Sequence, residues 1–226
     1  MLREFARLIL TLYMRLYHRL DCVFQDNAPR IGPVLALASH FSLLDTIAFM
    51  VVDPYQPKGS FVVKASLMRV PIVRQILEMW GAVPVAREGR DMAAVRAIME
   101  FLQKGRSVGI AAEGRRSRTG RLGPMQRVLV RIAVNAACRG VPVVPVVALG
   151  TYEALPPGAW FPRPHTIRVI VGDPIALQAW CGRKMDESSL EEASSLIQVT
   201  LAQMLPPERR PLPGTPAVSS LATEAS

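Results

Sequence analysis

Short apolar segments rich in Val, Ile and Ala alternate with segments of helical periodicity along most of the chain. The apolar segments are predicted strands at residues 34–39, 60–63, 82–86, 107–112, 143–149 and 167–171. The helical patterns cover residues 67–80, 91–104, 125–139 and 188–204. This alternation predicts an α/β fold, with a mostly parallel central sheet flanked by helices on both faces.

The first 25 residues have a different pattern, that of an amphipathic helix. On a helical wheel the polar side chains occupy an arc of roughly 160°, and they are Arg3, Glu4, Arg7, Thr11, Arg15, His18 and Arg19. The opposite side is apolar, with Leu2, Phe5, Ile9, Leu12, Tyr13, Leu16 and Leu20. Such a helix lies in a membrane interface, or it packs its apolar side on the domain; the sequence leaves both open.

The remaining chain is predicted to form one domain at residues 26–205, since a chain of 226 residues builds one sizeable core. Residues 206–226 contain five prolines and few large apolar side chains, which predicts a disordered tail. No uncharged run is long enough to span a bilayer.

Composition adds two constraints. Lys and Arg outnumber Asp and Glu by 27 to 18, a formal charge of +9, which favours anionic partners such as acidic lipid, nucleic acid or a phosphorylated substrate. The cysteines Cys22, Cys138 and Cys181 are odd in number and far apart, so we expect reduced thiols rather than a disulfide or a metal site.

Candidate chemistry begins at the end of the first predicted strand, in the segment SHFSLLDTIAF at 39–49. If a helix begins near Ser42, then Ser42 and Asp45 form a capping box, and His40 lies in the preceding turn. Asp45 can then accept a hydrogen bond from one imidazole nitrogen and leave the other as a base. In the alternative interpretation Asp45 only caps the helix and His40 is a core histidine.

Basic residues follow other predicted strands at the same edge of the sheet, where ligands of open α/β sheets bind. Lys64 and Arg87 each end a strand, and the segment EGRRS at 113–117 follows another. Arginine guanidinium groups are suited to phosphate because they form charge-assisted, forked hydrogen bonds. The sequence therefore predicts a base beside an anion-binding site.

Four blocks in this order resemble those of the glycerophospholipid acyltransferase family, which includes the 1-acylglycerol-3-phosphate O-acyltransferases. They are HFSLLD at 40–45, GAVPVAR at 81–87, AAEGRRS at 111–117 and VPVVPVVAL at 141–149. The resemblance covers residues 33–174. Two departures stand in the third block, where Ala111 and Ala112 replace Phe-Pro and Arg115 replaces Thr.

The resemblance implies an acyl transfer from acyl-CoA or acyl carrier protein to the hydroxyl of a lysophospholipid, with no further cofactor and no metal. His40 would be the general base and Asp45 its orienting partner. The residues implied to bind the acceptor phosphate are Arg87, Glu113, Gly114, Arg115 and Arg116, and Lys64 is implied to contact the donor or the phosphate. The expected location is peripheral, on the cytoplasmic face of the plasma membrane, with no nucleic-acid partner.

Other functions explain less of the sequence. A serine hydrolase using Ser42 would crowd its triad into six residues and lacks a GxSxG elbow, and a dinucleotide enzyme would need a GxGxxG segment. A non-catalytic basic protein on the membrane surface would explain the charge but not the His40–Asp45 pair. Within the family, lyso-ornithine lipid, other lyso-lipids and glycerol 3-phosphate remain alternative acceptors.

Overall fold

The computed structural model describes residues 2–52, 59–85 and 91–219. Its helices are α1 (Leu2–His18), α2 (Leu43–Val52), α3 (Pro71–Met79), α4 (Asp91–Gln103), α5 (Arg127–Cys138), α6 (Thr151–Ala154) and α7 (Glu187–Gln203). Its strands are β1 (Asp21–Phe24), β2 (Leu35–Ala38), β3 (Gly59–Lys64), β4 (Val83–Val85), β5 (Ser107–Ala111), β6 (Val143–Leu149) and β7 (Arg168–Val171). Short 3₁₀ turns occur at Ala65–Arg69, Leu177–Trp180 and Pro207–Arg209.

The strands form one sheet in the order β1-β7-β6-β2-β5-β3-β4. All neighbours pair in parallel except β6 and β7, which are antiparallel. The predicted α/β fold with a mostly parallel sheet is therefore confirmed. The four-residue edge strand β1 was not predicted, because its sequence DCVF is too short to show a period.

Two apolar cores lie on the two faces of the sheet. Alternating side chains along β6 divide between them, with Val143 and Val147 in one core and Val144 and Val146 in the other. Helices α4, α5 and α7 cover the first core, and α1 and α2 cover the second. Because β2 and β6 are buried on both faces, they are apolar throughout, as expected of central parallel strands.

One predicted helix is split. The pattern at 67–80 becomes a 3₁₀ turn followed by α3, which begins at Pro71. Proline has no N–H to donate and its fixed φ suits the first helical position, so a new helix starts there. The other three predicted helices match α4, α5 and α7 within two residues at each end.

Helix α1 packs on the domain by the side opposite to its apolar stripe. Met14 and His18 are fully buried, although His18 belongs to the predicted polar arc. The His18 ring lies 3.0 Å from the Tyr13 hydroxyl and 3.3 Å from the His165 carbonyl, and burial lowers its pKa. The exposed stripe consists of Phe5, Leu8, Ile9, Leu12 and Leu16. Of the predicted apolar side, Tyr13 and Leu20 pack partly against the core, whereas Phe5, Ile9, Leu12 and Leu16 do not.

The prediction of a disordered tail at 206–226 is wrong for residues 206–219; the remainder lies outside the described residues. Ala217, Val218 and Ser219 are buried, and backbone bonds of 2.7 and 2.8 Å join this segment to Met125. We call residues 206–219 the C-terminal strap. The proline-rich composition of the strap suggested disorder. Prolines nevertheless reduce the conformational entropy that an extended segment loses on packing, which favours an ordered strap.

The prediction of reduced thiols is wrong for two of the three cysteines. Cys138, the last residue of α5, forms a disulfide with Cys181, and their Cα atoms are 5.4 Å apart. The two positions are separated by 43 residues and meet only because α5 packs beside the turn Leu177–Trp180. Cys22 is the free cysteine.

We expect reduction to destabilise the protein. A disulfide closing a loop of this length contributes about 2–4 kcal/mol by restricting the unfolded chain. Urea unfolding with and without reductant should show this loss, and Cys181→Ser should reproduce it and abolish the effect of reductant. Cys22→Ser is the matched control and should respond to reductant as the parent chain does. An unchanged midpoint, or three titratable thiols in the oxidised folded protein, would contradict the disulfide.

Candidate active site

The site is built on the turn between β2 and α2, where Asp45 organises the backbone. Its Oδ2 accepts hydrogen bonds from the Phe41 N–H at 2.6 Å and the Ser42 N–H at 2.7 Å. The same oxygen lies 3.2 Å from His40 Nδ1. The carboxylate is 1% exposed and the imidazole 23%. Since the first helical N–H groups have no partner within the helix, a carboxylate at this place stabilises both the turn and the helix start.

This geometry assigns different tasks to the two imidazole nitrogens. A proton on Nδ1 is donated to Asp45, and Nε2 is then the basic nitrogen. The imidazole is partly exposed while its partner is buried, so a substrate hydroxyl can reach the ring without disturbing the hydrogen bond to Asp45. The arrangement is that of an oriented general base.

Ser42 caps the helix and is not available as a nucleophile. Its side chain is fully buried; Oγ donates to the Leu155 carbonyl at 2.8 Å and accepts from the Leu44 N–H at 3.2 Å. The predicted capping box is thus present with one difference, because Oγ caps Leu44 rather than Asp45. A hydrolase mechanism through Ser42 finds no support in this geometry.

A second turn, residues 113–117, follows β5 and lies against the first. The Ser117 N–H donates to the His40 carbonyl at 2.8 Å, which joins the two turns directly. Strands β2 and β5 are neighbours in register, with Ala38 opposite Ala111, so both turns leave the same edge of the sheet. The predicted meeting of strand ends at one edge is confirmed for these two strands.

Glu113 lies beneath this turn with its carboxylate buried. Its Oε2 accepts from the Gly123 N–H at 3.0 Å. The pKa of Glu113 is raised to about 7, mainly by burial. The N–H groups of Gly123 and His40 and the Arg115 charge lower this pKa, and the Asp45 charge raises it. The carboxylate supports the turn through its hydrogen bond to Gly123, and its contact with the acceptor phosphate stays a prediction.

Gly114 makes the turn possible. Its φ is +67°, and a Cβ atom built there would lie 1.5 Å from Gln126 Oε1. Only glycine adopts this conformation without strain and leaves room for Gln126. The two side chains that follow, Arg115 and Arg116, are exposed, and among the described residues neither belongs to an ion pair. The turn therefore presents two guanidinium groups to solvent.

Of the other predicted basic residues, Lys64 and Arg87, the structure describes only the backbone of Lys64. Lys64 ends β3, and its backbone pairs with Val85 of β4. Because β3 neighbours β5, Lys64 ends at the same edge of the sheet as His40. Arg87 lies outside the described residues. Within the described ranges, no cluster of three metal-ligating side chains occurs.

The C-terminal strap supports the second turn, a feature that sequence reasoning missed. Arg209 donates to the Gly120 carbonyl at 3.2 Å, forms an ion pair with Glu153 and stacks over the Tyr152 ring. Gln198 bridges the carbonyls of Gly123 and Pro216 at 3.1 and 3.2 Å. The sequence feature that could have indicated this contact is the pair Arg209 and Arg210 in a proline-rich segment. Prolines restrict the backbone there, and arginine side chains can bond the carbonyls of another loop.

We expect the stability to depend on pH through Glu113. Its folded pKa, about 7, is above its unfolded value of about 4.3, so between these values the folded state holds a proton that the unfolded state has lost. Stability therefore falls as pH rises through this window, by on the order of a few kcal/mol. Glu113→Gln, which stays neutral, should show a smaller fall in urea unfolding between about pH 5 and about pH 8.

Glu191→Gln, at an exposed position of α7, is the control and should keep the parent's pH dependence. Equal pH profiles for the parent chain and Glu113→Gln would mean that Glu113 does not titrate in this range.

An acyltransferase family model matches residues 19–149, which include both turns. A chloroplastic 1-acyl-sn-glycerol-3-phosphate acyltransferase of Brassica napus is 30% identical over 163 residues, which are 70% of this chain and 46% of the relative. A 1-acyl-sn-glycerol-3-phosphate acyltransferase of Pseudomonas aeruginosa is 28% identical over 198 residues, covering 86% of this chain and 74% of the relative. The chain spans about half the length of the Brassica relative.

A solved structure has the same fold. The crystal structure of the 1-acyl-sn-glycerophosphate (LPA) acyltransferase PlsC from Thermotoga maritima matches 89% of this chain and 81% of its own with a TM-score of 0.63. The sequence identity is 22%, so the likeness concerns the arrangement of sheet and helices.

Proposed function

Because the chain belongs to the acyltransferase family, we propose that it moves a fatty acyl group from a thioester donor to the free hydroxyl of a lysophospholipid. The preferred acceptor in this proposal is 1-acylglycerol-3-phosphate, and the product is phosphatidate. The named relatives from Brassica napus and Pseudomonas aeruginosa support this acceptor. The observation that carries the proposal is the His40 imidazole held by the buried carboxylate of Asp45 beside a turn bearing two exposed arginines.

The proposed reaction uses His40 Nε2 as the base. It takes the proton of the acceptor hydroxyl as the oxygen attacks the thioester carbonyl and the new C–O bond forms. The Asp45 carboxylate stabilises the imidazolium that results. The tetrahedral intermediate collapses, the C–S bond breaks, and the thiolate takes the proton back from His40. The products are the acylated lipid and free coenzyme A or acyl carrier protein.

The acceptor phosphate is proposed to bind Arg115 and Arg116, with Arg87 and Lys64 as further contacts. Exposed guanidinium groups at the turn are suited to this task, since forked hydrogen bonds to phosphate are charge-assisted. Glu113 and Gly114 would then act through the shape of the turn. Arg115 stands where the family has Thr, so it is the residue proposed to adapt the site to a different head group.

The enzyme is proposed to work while bound peripherally to an anionic membrane surface, on its cytoplasmic face. Helix α1 supports this proposal by exposing an apolar stripe flanked by the exposed Arg15 and Arg19. Interfacial helices combine these two features, and each arginine near an anionic surface contributes about 1 kcal/mol. No helix among the described residues is long and apolar enough to cross a bilayer.

We expect His40→Ala to lower turnover by about 10² to 10⁴, the usual contribution of a general base. Asp45→Asn should lower turnover and also stability, because it weakens two backbone hydrogen bonds at the start of α2. The measurement is the release of free thiol from acyl-CoA with lysophosphatidate, using protein from a host lacking the endogenous enzyme. A folded His40→Ala variant with parent rates would refute the mechanism, and no release by the parent chain with any lyso-lipid would refute the function.

We expect Arg116→Ala to raise KM for lysophosphatidate by about tenfold or more, since a charged hydrogen bond contributes roughly 1.5–3 kcal/mol. KM for the acyl donor should stay unchanged. Arg115→Thr should instead alter the ranking of acceptors, including lyso-ornithine lipid and glycerol 3-phosphate, measured by mass spectrometry of the products. Arg139→Ala, an exposed arginine beyond the end of α5, is the control. An equal effect at Arg139 would mean that general charge, not a phosphate site, is being measured.

A further inference from the structure

Two adjacent aromatic side chains stand almost fully in water. Trp160 is 91% exposed and Phe161 is 84% exposed, in the loop between α6 and β7. Such side chains contribute little to the stability of the fold while they remain in water. Neighbouring exposed aromatics are typical of a surface that another phase or partner covers.

The loop is held at its base, so the aromatic pair has a fixed place. The Arg163 N–H donates to the Ala154 carbonyl at 2.7 Å, and the Ala159 N–H donates to the Pro156 carbonyl at 3.1 Å. These two bonds close the loop, and Trp160 and Phe161 lie exposed between Ala159 and the following proline. We call residues 155–163 the aromatic loop.

The aromatic loop lies between the candidate site and α1. At one end the Leu155 carbonyl accepts from Ser42 Oγ, within the turn that holds His40. At the other end the Pro162 carbonyl accepts from the Tyr17 hydroxyl at 3.1 Å. Tyr17 follows Leu16, the last and most exposed member of the apolar stripe of α1. The loop therefore continues the stripe toward the site.

The charge of this region selects the occupant. The segment 155–166 contains no acidic residue, and Arg163 and His165 are exposed. Arg15 of the neighbouring helix α1 and Arg19, directly after its end, are also exposed. Apolar aromatics surrounded by basic side chains match the boundary between anionic head groups and acyl chains.

We propose that Trp160 and Phe161 insert into the head-group boundary of an anionic bilayer, as a second membrane contact beside the stripe of α1. This inference rests on the proposed function, because a lipid acceptor places the bilayer next to the site. Because the aromatic loop is joined to the turn that holds His40, this contact places the site beside the membrane surface, and the acceptor reaches His40 without leaving the lipid phase.

The test uses the full chain and vesicles of equal parts phosphatidylcholine and phosphatidylglycerol. Tryptophan fluorescence should shift to the blue on binding, and bromine-labelled lipids should quench it. Trp80 is buried and Trp180 is partly buried, so Trp160 is the tryptophan placed to report. Trp160→Phe should lose most of the shift and still co-sediment with the vesicles.

Trp160→Ser with Phe161→Ser should lower the vesicle partition coefficient by about a hundredfold, since each aromatic side chain that leaves water contributes about tenfold. Turnover on a short-chain, monomeric acceptor should stay at the parent rate, while turnover on vesicle-embedded acceptor falls. Val199→Ser is the matched control, because this exposed apolar residue lies on α7, across the sheet from α1.

Two results would overturn the inference. In the first, the double serine variant partitions as the parent does while Leu12→Glu with Leu16→Glu abolishes binding, which would leave α1 as the sole contact. In the second, sedimentation shows self-association that the serine variant loses and vesicles bind neither protein, which would make a second copy the occupant. Failure of the proposed function is distinct: thiol release on monomeric acceptor would then be absent whatever the vesicle result.

Discussion

One oxygen atom, Asp45 Oδ2, forms hydrogen bonds with the imidazole of His40 and with the backbone N–H groups of Phe41 and Ser42. These contacts define the strand-to-helix turn, the start of α2 and the orientation of the base together. Without the carboxylate, two buried N–H groups would be left without this acceptor, and leaving a buried donor unpaired costs about 1–3 kcal/mol. The position of the base is thus tied to the stability of the helix that follows it.

The second turn inherits its position from the first. The Ser117 N–H bonds the His40 carbonyl, so the arginines of this turn are fixed relative to the base. Glu113 is joined to Gly123, and Arg209 of the strap is joined to Gly120. Gln198 of α7 links Gly123 to Pro216 of the strap. The position of Arg115 and Arg116 therefore depends on contacts that extend from the His40 turn to the C-terminal strap. Most of these contacts are hydrogen bonds to backbone carbonyl or N–H groups.

The sequence predicted those parts of the molecule that follow from local patterns. The strands, the turn at His40 and the capping contact of Asp45 depend on periodicity and on residues a few positions apart. The Cys138–Cys181 bridge, the strap and the bond from Ser117 to His40 depend on tertiary packing between distant segments, which no local pattern specifies. The buried place of His18 was missed for a related reason: its partner is the carbonyl of His165, far along the chain.

Helix α1 shows how the fold keeps an apolar surface exposed. Burial of apolar side chains is favourable, so packing without other constraints would place Phe5, Ile9, Leu12 and Leu16 against the core. Here Met14 fills the core and His18 bonds both Tyr13 and the His165 carbonyl, so the opposite side of the helix is committed to the domain. The burial of a histidine, whose pKa falls as a result, offsets part of what the packing of Met14 contributes. A docking contact this specific, on the side with fewer apolar residues, holds the stripe outward in the protein before any partner is bound.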